Sequence, residues 1–197
     1  LRITSGGNVR HAGADNRMYT FSSDDSAHYM KFNNTFNGII LNGYAGIAFE
    51  TNGANERLRI DSSGRVLIGS TAVVNVGGSS ANSQLQIEGT SGNTSSLTLI
   101  RNQNSTGGSI IRFGKTRGSS TGAVTTVADG DTLGNITFSG ADGTDIQNAT
   151  AQIKVVVNGT VGGNQIPTDI TFETSASSGA NRSERLRIGS NSNITQT

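Results

Sequence analysis

Side chains able to do chemistry are few in this 197-residue chain. There are two histidines, His11 and His28, each among small or polar residues, and no cysteine. A Ser-His-Asp relay can be drawn on paper from the abundant serines. No helix pattern follows any of them, however, so the strand-to-helix elbow that presents a serine nucleophile is missing. Both histidines read as surface residues. The densest carboxylates lie in two short runs, Asp129-Gly130-Asp131 and Asp142-Gly143-Thr144-Asp145. A glycosidase needs two carboxyls about 5–10 Å apart in a cleft, usually with aromatic rings against the sugar. Residues 102–137 offer Phe113 alone, and the chain has no tryptophan. The same aspartates could hold a hard cation through oxygen ligands, but neither run carries the glutamate that closes an EF-hand loop. Asp-Gly also supplies the backbone of tight hairpins, and Asp129, Asp131, Asp142 and Asp145 are read as turn formers, with a calcium loop the lesser alternative. No complete phosphate loop of the form Gly-x4-Gly-Lys-Ser/Thr is present. No catalytic residue, no cofactor and no metal are expected.

The elements that must carry these residues are strands. Alternating runs recur, among them Leu85-Gln86-Ile87-Glu88, Ser96-Leu97-Thr98-Leu99, Ile136-Thr137-Phe138, Ile153-Lys154-Val155-Val156-Val157 and Ile170-Thr171-Phe172-Glu173. That is the period of half-buried strands. Turn signals separate them: Ser62-Ser63-Gly64, Gly77-Gly78, Asp129-Gly130, Asp142-Gly143 and Asn158-Gly159. No stretch has the 3.6-residue period of an amphipathic helix, so the class is all-β.

Composition limits what such strands achieve alone. Hydrophobic residues are 32% of the chain and aromatics 5%, against about 45–50% apolar in ordinary globular domains. Disorder is disfavoured, because disordered chains pair low hydrophobicity with high net charge and proline; here the net charge is +1 and proline occurs once. Association remains: identical chains pooling thin apolar faces. The balanced charge argues against a nucleic-acid partner, and no apolar stretch is long enough for membrane insertion as a helix. The lack of cysteine fits assembly in a reducing cytoplasm.

Repetition sets the architecture. Leu-Arg-Ile occurs at residues 1–3, 58–60 and 186–188, and each isoleucine is followed six residues later by an aliphatic one, Val9, Val66 or Ile194. Two copies share their upstream context, IAFETNGANERLRI (47–60) and ITFETSASSGANRSERLRI (170–188). The chain begins on one copy and ends just after another, as a segment of a longer array does. On a strand, Leu58 and Ile60 share one face while Arg57, Arg59 and Asp61 share the other. The apolar face is too small to bury alone, but packed around a three-fold axis it closes into a core. Leu58, Ile60, Leu186 and Ile188 are therefore expected to form a trimer connector, with Glu56, Arg57 and Arg59 as its charged edge and Glu56 pairing with Arg57 between chains. An ordinary edge strand is the plainer alternative.

The run Glu56-Arg57-Leu58-Arg59-Ile60-Asp61-Ser62-Ser63-Gly64-Arg65-Val66-Leu67-Ile68-Gly69 resembles the connector of bacteriophage tail-fibre proteins common in marine and cyanobacterial phages. Residues 96–188 resemble a module of the same fibres, through Leu97–Asn102, Phe113–Gly118, Asp129–Phe138, Gly140–Asp145 and Phe172-Glu173-Thr174. The last connector copy departs from the pattern, reading Ile188-Gly189-Ser190-Asn191-Ser192-Asn193 without the aspartate and glycine of the usual turn. The resemblance implies a homotrimeric virion component whose partners are other tail or baseplate proteins.

The expected fold is an elongated homotrimeric fibre of β-sandwich-like modules joined by connector strands. Residues 1–9 end an upstream connector, 10–57 form a small β module and 58–81 a connector. A larger sandwich-like module follows over 82–185, and 186–197 start the next connector. The expected function is structural and adhesive: a virion fibre segment, assembled in the host cytoplasm, that extends and positions a host-recognition tip. Contact with a host surface glycan or protein is a further role open to it, through exposed aromatics among Tyr19, Phe21, Tyr29, Phe32, Phe36 and Tyr44; the plainer reading puts Tyr19, Phe21 and Phe32 in a trimer core. Other classes are a capsid head fibre or decoration protein, a polysaccharide-degrading tailspike and a bacterial surface adhesin.

Overall fold

The structure is a computed structural model. It describes residues 2–3, 9–10, 18–20, 28–33, 35, 37–176 and 182–196, with side chains from His28 onward except that of Phe32. His11, Phe21 and Phe36 lie outside the described residues, as do the side chains of Tyr19 and Phe32.

Fourteen strands and no helix are found among the described residues. They divide between two units, Leu1–Val73 with Ser83–Ser96, and Val74–Asn82 with Leu97–Thr197.

In the first unit β1 (Arg2–Ile3) pairs with β2 (Val9–Arg10), and β3 (Met18–Thr20), β4 (Tyr29–Asn33) and β5 (Gly38–Asn42) form a meander. A four-stranded sheet follows in the order β6 (Gly46–Thr51), β7 (Asn55–Asp61), β8 (Val66–Ile68) and β9 (Leu85–Ile87). The first three are antiparallel neighbours in sequence, and β9 closes on β8 in parallel. The β6–β7 hairpin turns on Asn52 and Gly53, both at positive φ (53° and 81°), as short hairpin loops require. β7 runs through residues 57 and 58, joining the Phe-Glu-Thr strand to the connector strand. β9 lies past residue 82 in sequence and belongs to this sheet.

The second unit is one antiparallel sheet in strict sequence order: β10 (Thr132–Ser139), β11 (Ala149–Val157), β12 (Thr168–Ser175), β13 (Arg182–Ile188) and β14 (Ile194–Gln196). A sandwich within one chain needs a second sheet facing the first, and the described residues of this unit supply a single open sheet.

The three Leu-Arg-Ile copies fold alike. In each, the isoleucine pairs with the aliphatic residue six positions on: Ile3 with Val9, Ile60 with Val66 and Ile188 with Ile194. In the second and third copies the intervening residues form the hairpin turn.

Very little is buried. Among the described residues the buried apolar side chains are Leu67, Val127, Ala149 and Val157, while buried polar ones include Gln152, Asp169 and Thr171.

Candidate functional site

The register places the large apolar residues of β10–β14 on one face, apart from Val156, which pairs with Asp169 on the other. Ile136, Ile153, Phe172 and Leu186 form one cross-strand row. Gly134, Val155, Ile170, Ile188 and Ile194 form the next. Phe138 stands beside Ala151 in a third. This face is open: Phe138 is 52% exposed, Ile136 48% and Ile194 72%.

The other face carries Thr137, Gln152, Lys154, Asp169, Thr171, Glu173, Glu184 and Arg187 by the same register. The middle of this polar face is buried, at Gln152, Asp169 and Thr171, while Thr137 on β10 is exposed. Thr171, 0% exposed, sits in the ladder between Lys154 and Arg187. Lys154 Nζ lies 2.6 Å from Glu173 Oε1, and Gln152 Nε2 donates to Glu173 Oε2 at 2.7 Å. Burial pushes the Glu173 carboxyl up, but Lys154, Gln152 and Arg182 outweigh it and hold it below its ordinary value. Asp169, 1% exposed, accepts from Arg187 Nη1 at 2.5 Å, Asn158 Nδ2 at 2.7 Å and the Ser190 amide at 2.8 Å. Those donors, Arg187 first, keep it ionised well below the usual carboxylate range. The sheet is thus inverted at its centre: Gln152, Asp169 and Thr171 are buried on the polar side, while Ile136, Phe138, Ile170, Ile188 and Ile194 on the apolar side are exposed.

The first unit repeats the arrangement. Ile47, Ile60, Val66 and Leu85 form one row, and Phe49, Leu58, Ile68 and Ile87 the next. Ala48, Arg59, Leu67 and Gln86 lie behind them. Leu58, Ile60, Leu186 and Ile188 accordingly stand in larger apolar faces. Sequence reasoning missed the β10, β11, β8 and β9 members because it judged each strand alone; the signal was period-2 alternation, which becomes a face only once the register is known.

A bulge sets the geometry of the charged edge within the chain. Phe49 opposes Leu58 while Glu50 opposes Glu56, so Arg57 is an unopposed bulge residue. The bulge shifts Glu56 onto the face of Arg59, and the two form a bidentate pair at 2.7 and 2.8 Å. Within the chain Glu56 is engaged by Arg59 of its own strand, and Arg57 donates to Thr51 Oγ1 at 2.8 Å. Arg185 is the matching bulge in β13: Glu184 pairs with Arg187, and Arg185 donates to Thr174 Oγ1.

The departure in the last connector copy is compensated across the sheet. After β7, Asp61 Oδ1 accepts the amides of Ser63 and Arg65, its Oδ2 accepts from Arg65 Nε at 2.7 Å, and Gly46 faces Asp61. A side chain on Gly46 would strike the Ile60 carbonyl. After β13 the acid and the glycine change places: Gly189 takes the turn position, and Asp169 on β12 reaches across to the Ser190 amide. The backbone bonds persist, from Asp61 to Arg65 at 3.0 Å and from Gly189 to Asn193 at 2.8 Å.

The acidic loops do not converge. Asp142 Oδ1 caps its own turn through the amides of Thr144 and Asp145, and Asp145 accepts from Gln147. Asp131 is held far below its usual range by the Arg117 guanidinium and the Ala128 amide. Asp129 accepts from the Gly159 amide at 2.7 Å. No group of three or more histidines, aspartates or glutamates is placed to hold a metal among the described residues. Gly118-Ser119-Ser120-Thr121-Gly122 has nucleophile-elbow spacing, which sequence reasoning passed over. It lies in the loop between Arg117 and Thr125, whose backbones are bonded at 3.2 Å, with no helix behind it. Gly114-Lys115-Thr116 ends like a phosphate loop, but Ser109 stands where the first glycine belongs. Tyr29 lies under Lys31 Nζ at 4.8 Å, and Tyr44 stands on a turn at 80% exposure.

This fold has counterparts among solved structures of a phage tail fibre. The chain superposes on the carboxy-terminal domain of the bacteriophage T5 L-shaped tail fibre with a TM-score of 0.62 and 16% identity, over 100% of this chain and 88% of that one. A second structure of that domain, with its intra-molecular chaperone domain, matches with a TM-score of 0.59 and 16% identity, over 99% of this chain and 57% of that one. No known family profile matches the sequence, and no curated protein resembles it.

Proposed function

We propose that the chain is a segment of a trimeric virion fibre. Three copies turn their apolar sheet faces onto a common axis, and the resulting shaft extends and positions a host-recognition tip. The observation that carries this reading is the inverted sheet of β10–β14. Covering the exposed part of each large face residue contributes on the order of 1 kcal/mol, and the face offers a contiguous set of them. The connector residues Leu58, Ile60, Leu186 and Ile188 belong to that axis, and the ion pairs Glu56–Arg59 and Glu184–Arg187 stay on the outer side.

The likeness of fold to tail-fibre domains supports a place on the virion, beside other tail or baseplate proteins, and a mechanical and adhesive role without catalysis. Contact with a host glycan or protein belongs to this reading through multivalency, since each exposed loop recurs three times per fibre. Light scattering on the purified chain tests the assembly. Three times the 20.3 kDa chain mass is expected; twice that mass replaces the three-fold axis with a two-fold one, and a well-folded single chain sinks the proposal.

A further inference from the structure

In the second unit β10 is an edge strand, with β11 on one side and no described residue paired on the other. Beside it lies a nearly all-apolar cleft lined by Phe113, Leu133, Ile136, Ile153 and Val155. A free row of backbone N–H and C=O groups next to an apolar cleft is a template for an added strand.

The chain also contains strand-like sequence that has no sheet. Leu97-Thr98-Leu99-Ile100-Arg101 and Ser109-Ile110-Ile111-Arg112-Phe113 are rich in aliphatic residues, yet neither enters a ladder. Among the described residues, no backbone group in either run bonds to another backbone group. Ile100 is 76% exposed and Leu97 65%. The second run is anchored to its own sheet, because Phe113 packs over Gly134, where an added Cβ would come within 2.7 Å of the Phe113 Cβ. The first run has no such anchor, and residues 102–112 between the two can span up to roughly 35 Å when extended.

We propose that Leu97–Arg101 of one copy adds as a strand to the outer edge of β10 in a second copy. This rests on the trimeric reading above and adds to it a strand exchange between neighbours. Each β10 receives one run and each chain donates one, so a closed ring leaves none of these edges open. The exchange satisfies the idle backbone groups of the run and lays Leu97 and Leu99 or their neighbours against the cleft.

Two measurements on the assembled chain test it. In the unmodified protein, amide hydrogen exchange at 97–101 is expected to be at least 100-fold slower than in the free peptide. With a benzophenone amino acid in place of Thr98, illumination is expected to give covalent multimers on a denaturing gel, joined to residues 132–139. Exchange at free-peptide rates in a particle of trimeric mass overturns the strand exchange and leaves the trimer standing. So do links confined to one chain, or links between two 97–101 runs. A monomeric mass overturns both.

Discussion

Ser192 stands in the turn after β13 where Gly64 stands in the turn after β7, and both adopt the left-handed backbone conformation, at φ 68° and 78°. Each donates its amide three residues back, Ser192 to the Gly189 carbonyl at 3.0 Å and Gly64 to the Asp61 carbonyl at 2.9 Å. The turn is therefore kept by its hydrogen bonds although its sequence has drifted.

A residue with a Cβ is strained in that region by about 1 kcal/mol. Ser192→Gly is expected to stabilise the fold by about that much, read as a higher unfolding midpoint in denaturant. An unchanged or lowered midpoint would show that the side chain supplies something the turn geometry does not.

Acid sensitivity follows from the buried polar face. Asp169 and Asp61 both titrate below their ordinary value of 3.8, the first chiefly through Arg187 and the second chiefly through the Arg65 amide. A depressed carboxyl stabilises the fold fully above its unfolded value, about pH 4, and the contribution is lost as pH falls through the lower folded value. Asp169→Asn is expected to cost about 1–3 kcal/mol at pH 7 by leaving Arg187 and Asn158 short of an acceptor. The gap between variant and parent then narrows toward pH 2. Chemical denaturation at several pH values checks both the size and the sign; a gap that widens in acid contradicts the assignment.

Gly134 has no room for a side chain, since Phe113 fills the space above it. Gly134→Val is expected to displace Phe113 and cost roughly 1–3 kcal/mol as an overpacked contact, with Phe113→Ala partly relieving it. Thermal melts of the two single variants and the double variant measure the coupling.

Ile153 lies in the middle row of the open face, between Ile136 and Phe172. Ile153→Asp places a charge in the proposed axial core and is expected to abolish assembly, with the solution mass falling to that of one chain or the protein precipitating. Thr150→Asp, at an exposed position of the same strand, is expected to leave the mass unchanged. Equal behaviour of the two variants argues against the apolar face as the contact.

The sequence alone determined the all-β class, the modular repeat and the shortage of core-forming residues. Alternation, turn dipeptides and composition are local properties, and they hold at Leu85–Ile87, Ile136–Phe138, Ile153–Val157 and Ile170–Glu173, whereas Ser96–Leu99 alternates without entering a ladder. It also identified Leu58, Ile60, Leu186 and Ile188 as sharing an apolar side, because period-2 spacing on one strand suffices for that. The tertiary structure decided which strands are neighbours, and hence that the scattered apolar sides of β10–β14 merge into one bare face over a buried ionic one. Register is a long-range property: Ile136 and Ile153, or Phe172 and Leu186, become partners only through pairing that no single strand encodes. The bulges at Arg57 and Arg185 were hidden for the same reason, since an extra residue is visible only against the strand opposite. So was the exchange of acid and glycine between Asp61 with Gly46 and Asp169 with Gly189, which linear comparison reads as a loss and the folded sheet reads as the same turn held from the other side.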